Sequence, residues 1–402
     1  MKIVIWIGGS FESWGPRSLE TGIGGSEVAA VRMAEHLTRL GCEVAVWGKV
    51  VDDEVSYDGK KVCYLTAGPG THRDGARVVL DCDVLVSSRD LSALSRLEWA
   101  GKKPLSVLWV HDVHVGDDWH DVMSSYDLVF CLSRWARSAL MHYYPDVAAE
   151  KLVVTRNGIE PSLFLREGET VDNLGPVEGV PGRPLCKRPH RCIYSSSYDR
   201  GLVRLLDLWP RVRREVPDAD LGVYYGTESA RAAAALYPGP RSRDMLLQLD
   251  YLEHRMAKME PDGVHYLGRC GQSALAQAFL ESGLWLYPTS FCETSCISAL
   301  EAQAAGCYPI TSSIGALPET VRRGVIIAHP EYAGYDDAFV DAVAGAVGPR
   351  AAEVARDTVL NRREVLAECS WAEVAAGWIK MFEDKISGRP RGQIEEDVHA
   401  QD

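Results

Sequence analysis

No apolar run in the chain reaches the roughly 18 residues that a membrane-spanning helix requires. The opening Met-Lys-Ile-Val-Ile-Trp-Ile-Gly-Gly is too short and too interrupted by glycine for a signal peptide. Eleven cysteines lie between Cys42 and Cys369, but no Cys-x-x-Cys pair occurs, so the paired spacing of a zinc site is absent. The nearest groupings are Cys186/Cys192, with His190 between them, and Cys292/Cys296, and neither has a second pair close by. An odd, scattered set of this kind reads as free thiols in a reducing cytosol, and the expected location is cytoplasmic. Positive charge is short as well. The 43 Lys and Arg against 56 Asp and Glu leave −13, which argues against a large duplex-DNA footprint while leaving room for a local basic pocket. There is no Gly-x-Ser-x-Gly elbow, which removes the usual serine-hydrolase reading. No Gly-x-Gly-x-x-Gly follows the first strand, so the nicotinamide-type fingerprint is missing.

At roughly 100–200 residues per domain, the 402 residues predict two domains, with apolar content of 46% and charge of 25% typical of soluble globular chains. Near-continuous apolar runs occur at 3–7, 44–47, 84–86, 107–110, 128–132 and 152–155, with a helical pattern at 27–40. Strands covered on both faces of a parallel sheet look like this. A Gly-, Pro- and acid-rich stretch at 166–190 reads as a linker or surface excursion. The alternation then restarts, with strands at 192–195, 221–225, 264–267, 284–287, 308–311 and 325–328, and helices at 202–216, 244–259 and 297–305. A last helix at 371–386 has Val374, Trp378 and Met381 on its apolar face, and the tail after Gly388 is polar and expected to be disordered. The expected architecture is α/β, with domains at 1–165 and 191–370, the linker at 166–190, a crossing helix at 371–387 and a tail at 388–402. Two such domains in tandem leave a cleft at the C-terminal ends of their strands, where open α/β sheets bind ligands.

Four segments can carry chemistry there. Gly22-Ile-Gly24-Gly25-Ser26-Glu27 precedes the first helix, where glycines let backbone N–H groups approach an anion, or form a plain turn. His111 and Asp112 follow a strand; the histidine can donate to a sugar hydroxyl or be a satisfied loop histidine. Ser195-Ser196-Ser197-Tyr-Asp-Arg200 offers hydroxyls and a guanidinium placed in the first turn of a helix, for a diphosphate, or an N-cap at Ser197 or Asp199 with a solvated arginine. Glu293-Thr-Ser-Cys296-Ile297-Ser-Ala-Leu-Glu301 puts two acids eight positions apart, read as one face of a largely apolar helix beside the cleft. Asp81-Cys-Asp83 imitates an Asp-x-Asp metal motif but precedes a strand, and Asp117-Asp118 reads as a loop pair.

Glu293-x7-Glu301, with Gly306-Cys-Tyr-Pro309 and Gly315-Ala-Leu-Pro-Glu319 after it, resembles the donor signature of retaining GT-B glycosyltransferases of family 4; the Gly24-Gly25-Ser26-Glu27 loop, Asn157-Gly158-Ile159 and Leu267-Gly268 match as well. The resemblance implies two Rossmann-like domains facing each other across a cleft, acceptor domain first and donor domain second. The last helix would cross back to the first domain. It implies that Glu301 holds the ribose hydroxyls of a nucleotide-diphospho-sugar and that Glu293 and His111 contact the transferred sugar. Arg200 would sit where the family has its diphosphate-binding lysine. Gly24, Gly25, Ser196, Gly268, Arg269, Cys296 and Ile297 complete the donor site, and Trp14, Arg17, Glu27, Trp119 and His120 are placed with the acceptor. No metal and no cofactor is implied beyond the co-substrate, UDP-linked or then GDP-linked. The acceptor would be a small molecule or glycan, with a nucleic acid disfavoured by the charge, and no stable membrane insertion is implied.

Two departures stand out. The family's Gly-Arg ahead of the phosphate lysine is replaced here by Ser195–Ser197, so a cation is missing that Arg269 or Arg134 would have to supply. Ser295-Cys296 replaces Phe-Gly, so a side chain at Cys296 would narrow the sugar's approach. Alternatives on the same architecture are a nucleotide-sugar 2-epimerase, a phosphorylase, which the scarcity of lysine in the second half weakens, and a non-catalytic nucleotide-sugar-binding subunit.

Overall fold

The computed structural model describes every residue except Gly9, Ser92, the stretches 67–77, 113–118, 175–187 and 389–402, and the side chain of His120. The tail and most of the 166–190 stretch therefore lie outside the described residues.

Two sheets organise the chain. The first has eight strands: β1 (Lys2–Ile7), β2 (Glu43–Gly48), β3 (Asp53–Tyr57), β4 (Lys60–Thr66), β6 (Val84–Ser88), β8 (Leu105–Val110), β9 (Leu128–Cys131) and β10 (Leu152–Val154). Their order is β10-β9-β8-β6-β1-β2-β4-β3, parallel throughout except for β3 against β4. Two short strands, β5 (Val78–Leu80) and β7 (Leu97–Trp99), pair apart from it. The second sheet has six parallel strands: β11 (Arg188–Ser195), β12 (Asp220–Tyr224), β13 (Val264–Gly268), β14 (Ser282–Tyr287), β15 (Tyr308–Ser312) and β16 (Val325–Ile327), in the order β13-β12-β11-β14-β15-β16. In both sheets the order reverses beside the first strand, which opens a crevice at the strand ends.

The apolar runs form these strands because both faces are covered. Ile3, Ile5, Val84, Val86, Val107 and Trp109 share one core with Ala30, Met33 and Leu37 of the helix Gly25–Arg39. The second core gathers Ile193, Leu221, Val223, Trp285 and Ile310 with Leu205 and Trp209 of the helix Leu202–Glu215. β11 begins at Arg188, inside the stretch read as linker. The start of that stretch is tied down, because Glu169 accepts from the buried Arg362 at 2.6 Å.

The last helix, Trp371–Ile386, leaves the second domain and packs on the first. Trp371, Val374, Ala375, Trp378 and Phe382 join the core of the first sheet, and the Trp378 indole donates to Thr155 Oγ1 at 2.9 Å. The hinge lies where Ile159 bridges to Ser370: Ile159 N donates to Cys369 O at 2.8 Å and Trp371 N to Ile159 O at 3.0 Å. A Cβ on Gly158 would stand 2.8 Å from Trp371 N, so the Asn157-Gly158-Ile159 signature serves the crossing of the chain. Among the described residues no helix is long and apolar enough to cross a membrane.

Candidate active site

A cleft of about 480 Å³ lies between the two sheets. From the first domain come Gly24, Gly25, Ser26, Glu27, Arg89, His111 and Asp112; from the second come Ser195, Ser196, Arg200, Tyr225, Phe291, Glu293, Cys296 and Ile297. A hollow of about 60 Å³ adjoins it, lined by Gly22, Ile23, Ser195, Tyr224, Tyr225, Arg269, Cys270 and Leu275.

Two helices open into the cleft with no side-chain cap on either. Gly24 caps Gly25–Arg39 and Cys296 caps Ile297–Ala305. Their first N–H groups are left for a ligand, with the positive ends of both dipoles directed at it. A Cβ on Gly25 would lie 3.6 Å from Ile297 Cδ1, so the two helix starts stand against each other.

Glu293 precedes that second helix by four residues, so the two acids do not share a helical face as the spacing suggested; the helix begins only at Ile297 and carries Glu301 alone. Glu293 is held in a loop, 5% exposed, with Oε1 accepting from Tyr287 Oη at 2.5 Å and from Arg200 Nη1 at 3.0 Å. Gly315 fixes the loop from behind. It sits at φ +57°, and a Cβ there would meet Glu293 O at 2.4 Å, while Ala316 N donates to that oxygen at 2.8 Å. The glycine of Gly315-Ala-Leu-Pro-Glu319 is thus required by the backbone of Glu293.

Arg200 likewise precedes its helix. Gly201, at φ +105°, is the cap of Leu202–Glu215, so neither Ser197 nor Asp199 caps it and Arg200 is outside the first turn. The guanidinium lies 4.0 Å over the Phe291 ring. Burial opposes its charge, but Glu293 beside it holds the group protonated.

His111 ends β8 against Trp109, ring centres 4.5 Å apart, and its carbonyl accepts from Thr294 Oγ1 of the second domain at 2.8 Å. Burial, helped by the nearby Arg89 charge, pushes the imidazole down to about 3, so it is neutral. Its Nε2 is buried with no hydrogen-bond partner among the described residues, as are Asn157 Oδ1 and Ser195 Oγ, which also line the cleft. Glu301 is 8% exposed, accepts no hydrogen bond from a described residue, and is lifted by burial to about 8. It stands close enough to Cys270 for its charge to raise the thiol's pKa. Buried polar groups without partners are uncommon, and three of them, His111 Nε2, Asn157 Oδ1 and Ser195 Oγ, border the cleft, whereas Glu301 is not among the residues that line it.

The remaining predicted residues divide. Ser196 lines the cleft, its hydroxyl 3.3 Å from Tyr287 Oη. Cys296 lines it but joins the second core, so its thiol is turned inward rather than across the sugar's approach. Glu27 lines it with both oxygens held, by Ser10 Oγ at 3.0 Å and Ser26 Oγ at 2.9 Å. Arg269 belongs to the adjoining hollow and is occupied, with Nη1 and Nη2 each 2.9 Å from the Glu12 carboxylate. Gly268, at φ +66°, ends β13 and accepts from Tyr225 N at 3.0 Å without lining the cleft. Trp14 lines the cleft while 1% exposed and part of the first core, its indole donating to Ser10 Oγ at 3.1 Å. Arg17 points outward toward Asp53 at 3.4 Å with its side chain 82% exposed. Arg134, equally exposed beside Glu319, lies away from the cleft. Trp119 stacks on Tyr144 at 6.3 Å. The Asp117-Asp118 pair falls outside the described residues. The Asp81-Cys-Asp83 decoy is structural, with Asp81 pairing Lys2 at 2.7 Å. Among the described residues no group of three or more metal-ligating side chains occurs.

Sequence reasoning missed Arg89, Tyr225, Tyr287 and Phe291. Arg89 and Tyr225 each follow a strand's last residues and carry positive φ, +57° and +119°. The available signal was position alone, directly past an apolar run.

Residues 246–346, about a quarter of the chain, match the family "Glycosyl transferases group 1". That segment holds Glu293 and Glu301 but not Arg200, His111 or the glycine loop. No curated protein matches the chain in sequence. Among solved structures the chain is similar to a sucrose-phosphate synthase from Thermosynechococcus elongatus, with TM-score 0.63, 15% identity, and 96% of this chain and 100% of that one covered. It is also similar to HepE of Anabaena in complex with UDP-glucose, with TM-score 0.62, 13% identity and coverage of 96% and 99%. A glycosyltransferase from Rickettsia africae matches at TM-score 0.63, 12% identity and coverage of 97% and 99%. At these identities the likeness shows the fold, which is GT-B. The chain thus carries a group 1 glycosyl transferase segment on a GT-B fold, and it is an enzyme of the glycosyltransferase type.

Proposed function

We propose that this enzyme transfers a sugar from a nucleotide-diphospho-sugar to an acceptor hydroxyl, with retention at the anomeric carbon and without a resident metal. The carrying observation is Glu301: a buried carboxyl with no hydrogen-bond partner among the described residues, held near 8, on the helix Ile297–Ala305, whose uncapped N-terminus enters the cleft opposite that of Gly25–Arg39. A ribose diol supplies the two donors that this carboxylate lacks, and the diphosphate suits the helix starts and Arg200. The donor belongs mainly to the second domain and the acceptor to the first. UDP is favoured as the nucleotide, since HepE is described with UDP-glucose. Nine described cysteines, Cys307 apart, are free thiols, which suits a reducing compartment such as the cytoplasm.

In the reaction the sugar–phosphate bond breaks and negative charge develops on the departing diphosphate. Arg200 and the amides at Cys296–Ile297 stabilise that charge without reorganising. Glu293, clamped by Tyr287 and Arg200, accepts from sugar hydroxyls. Glu293 is engaged on Oε1 by two donors, which suits a carboxylate that positions the sugar rather than one that attacks it. On this reading the acceptor attacks from the face the diphosphate leaves, and the departing phosphate oxygen takes its proton.

The test is turnover with UDP- and GDP-sugars over a panel of sugar and polyol acceptors, the product's anomer being assigned by proton NMR. Transfer with the donor's configuration kept supports the reading. Inversion contradicts it, and a donor sugar changed at C2 without acceptor indicates a 2-epimerase.

A further inference from the structure

We propose that Arg89 is the second cation of the donor-phosphate site, supplied from the first sheet in place of the one missing at Ser195–Ser197. The proposal rests on the donor reading above.

Charge balance leads to it. A nucleotide-sugar carries one negative charge on each of its two phosphates. On the second domain Arg200 faces the cleft, but it is shared with Glu293 at 3.0 Å, so that wall offers no net positive charge. Arg269 is held by both oxygens of Glu12, with Glu228 a further 3.6 Å from its Nε. Arg134 is outside the cleft. His111 is neutral. Among the described residues lining the cleft, the remaining cation is Arg89, whose carboxylate partner Asp112 is more distant, at 3.4 Å, and more exposed than the Glu293 that holds Arg200.

Its placement fits the task. Arg89 follows β6 immediately, at the crevice beside β1 where the strand order reverses. It is held at φ +57°, an unfavourable conformation for a side-chain-bearing residue. Such conformations collect at ligand sites, where the surroundings enforce them. Nη1 donates to Ser26 Oγ at 3.2 Å, and Ser26 is the second residue of the helix Gly25–Arg39. The guanidinium is therefore fixed at a helix N-terminus, where the dipole repels it and an anion would relieve both. That helix start lies against Ile297, next to the amides assigned to the phosphates. The acids facing Arg89 are Asp112, 3.4 Å from Nε and 43% exposed, and Glu27, which Ser26 separates from it and which is satisfied by two hydroxyls. Neither closes the outer edge of the fork.

The experiment is calorimetric titration of UDP and uridine (or the nucleoside diphosphate and nucleoside that wild type prefers) into wild type, Arg89→Ala, Arg89→Lys and Arg200→Ala. A charge-assisted contact of this kind is typically worth roughly 10–100-fold in affinity. Arg89→Ala should weaken UDP by about that factor and leave uridine unchanged, and Arg89→Lys should recover most of the loss. Should Arg89→Ala fail to fold, Ser26→Ala, which frees Nη1 from its hydroxyl, must show the same split at smaller size. Equal weakening of UDP and uridine makes Arg89 a structural residue and overturns the proposal. Unchanged UDP binding with a raised acceptor KM assigns Arg89 to an anionic acceptor and overturns it too. If Arg200→Ala weakens UDP and Arg89→Ala does not, the donor site stands without Arg89. If wild type binds no nucleoside diphosphate, the donor reading itself falls and takes this proposal with it.

Discussion

Glu301 and His111 are both buried and both shifted, in ways that produce opposite pH behaviour. Glu301 has its folded pKa raised to about 8, so its stabilising contribution is complete below the ordinary carboxylate range and is lost as pH rises through about 8. Wild type should therefore lose more thermal stability between pH 5 and 9 than Glu301→Gln does, as melting curves across that range will show. A ribose that donates to both oxygens favours the ionised form, so nucleotide binding at pH 7 must release protons. Titration in buffers of different ionisation enthalpy should report up to about one proton per site, and none for Glu301→Gln. His111 is pushed down to about 3, so no limb of the pH–rate profile near neutrality belongs to it. Arg200→Ala removes one preorganised donor from the leaving group and should cost about 10²–10³ in turnover. A loss within threefold in single-turnover kinetics would remove Arg200 from the phosphate site.

At the scale of the element, the strands were legible because parallel strands covered on both faces have to be continuous apolar runs. Ile3 to Ile7 and Leu284 to Tyr287 show this. The crossing helix was legible too, from the spacing of Val374, Trp378 and Met381. The two functional helices were legible as well, with starts expected at 202 and 297 and found there. What the spacing misplaced was Arg200, read into the first turn, and Glu293, read onto one helical face with Glu301: each lies in the segment just before a helix, where Gly201 and the contact of Gly315 with Glu293 shape the backbone. Arg89 and Tyr225 were invisible for a related reason: a positive φ imposed by tertiary contacts leaves no mark on composition or period. Trp14 does both things an aromatic in a loop near a cleft can do, packing in the core and bordering the cleft, which spacing alone does not distinguish. Two changes test these elements. Gly315→Ala should displace Glu293 and reduce turnover far more than it lowers the melting temperature. Trp378→Ala, which empties a fully buried site between the crossing helix and the first sheet, should cost about 3–5 kcal/mol, measured by denaturant unfolding.

Over the whole molecule, polar contacts tie the first domain to the second at several points around the cleft. Glu12 takes both the Arg269 fork and Ser229 Oγ at 2.6 Å, Arg32 reaches Gln272 at 2.7 Å, and Glu319 accepts from the amides of Arg134 and Trp135 at 3.2 and 2.8 Å. Burial works against the Glu12 charge, and Arg269 outweighs it, so the pair stays ionised at neutral pH. Removing it with Glu12→Ala should favour an open arrangement, seen as a larger radius of gyration in solution scattering and as a donor KM raised about fivefold, the equivalent of about 1 kcal/mol. The central claim is that this cleft holds a nucleotide-sugar through Glu301. The most direct measurement is the thermal shift of wild type and Glu301→Ala with UDP-, GDP-, ADP- and dTDP-sugars. A ligand at 100 times its Kd stabilises the fold by about 2.7 kcal/mol. The account predicts a clear upward shift of wild type with one nucleotide family, UDP first, and its loss in Glu301→Ala. No shift with any nucleotide-sugar, or an equal shift in the variant, would contradict it.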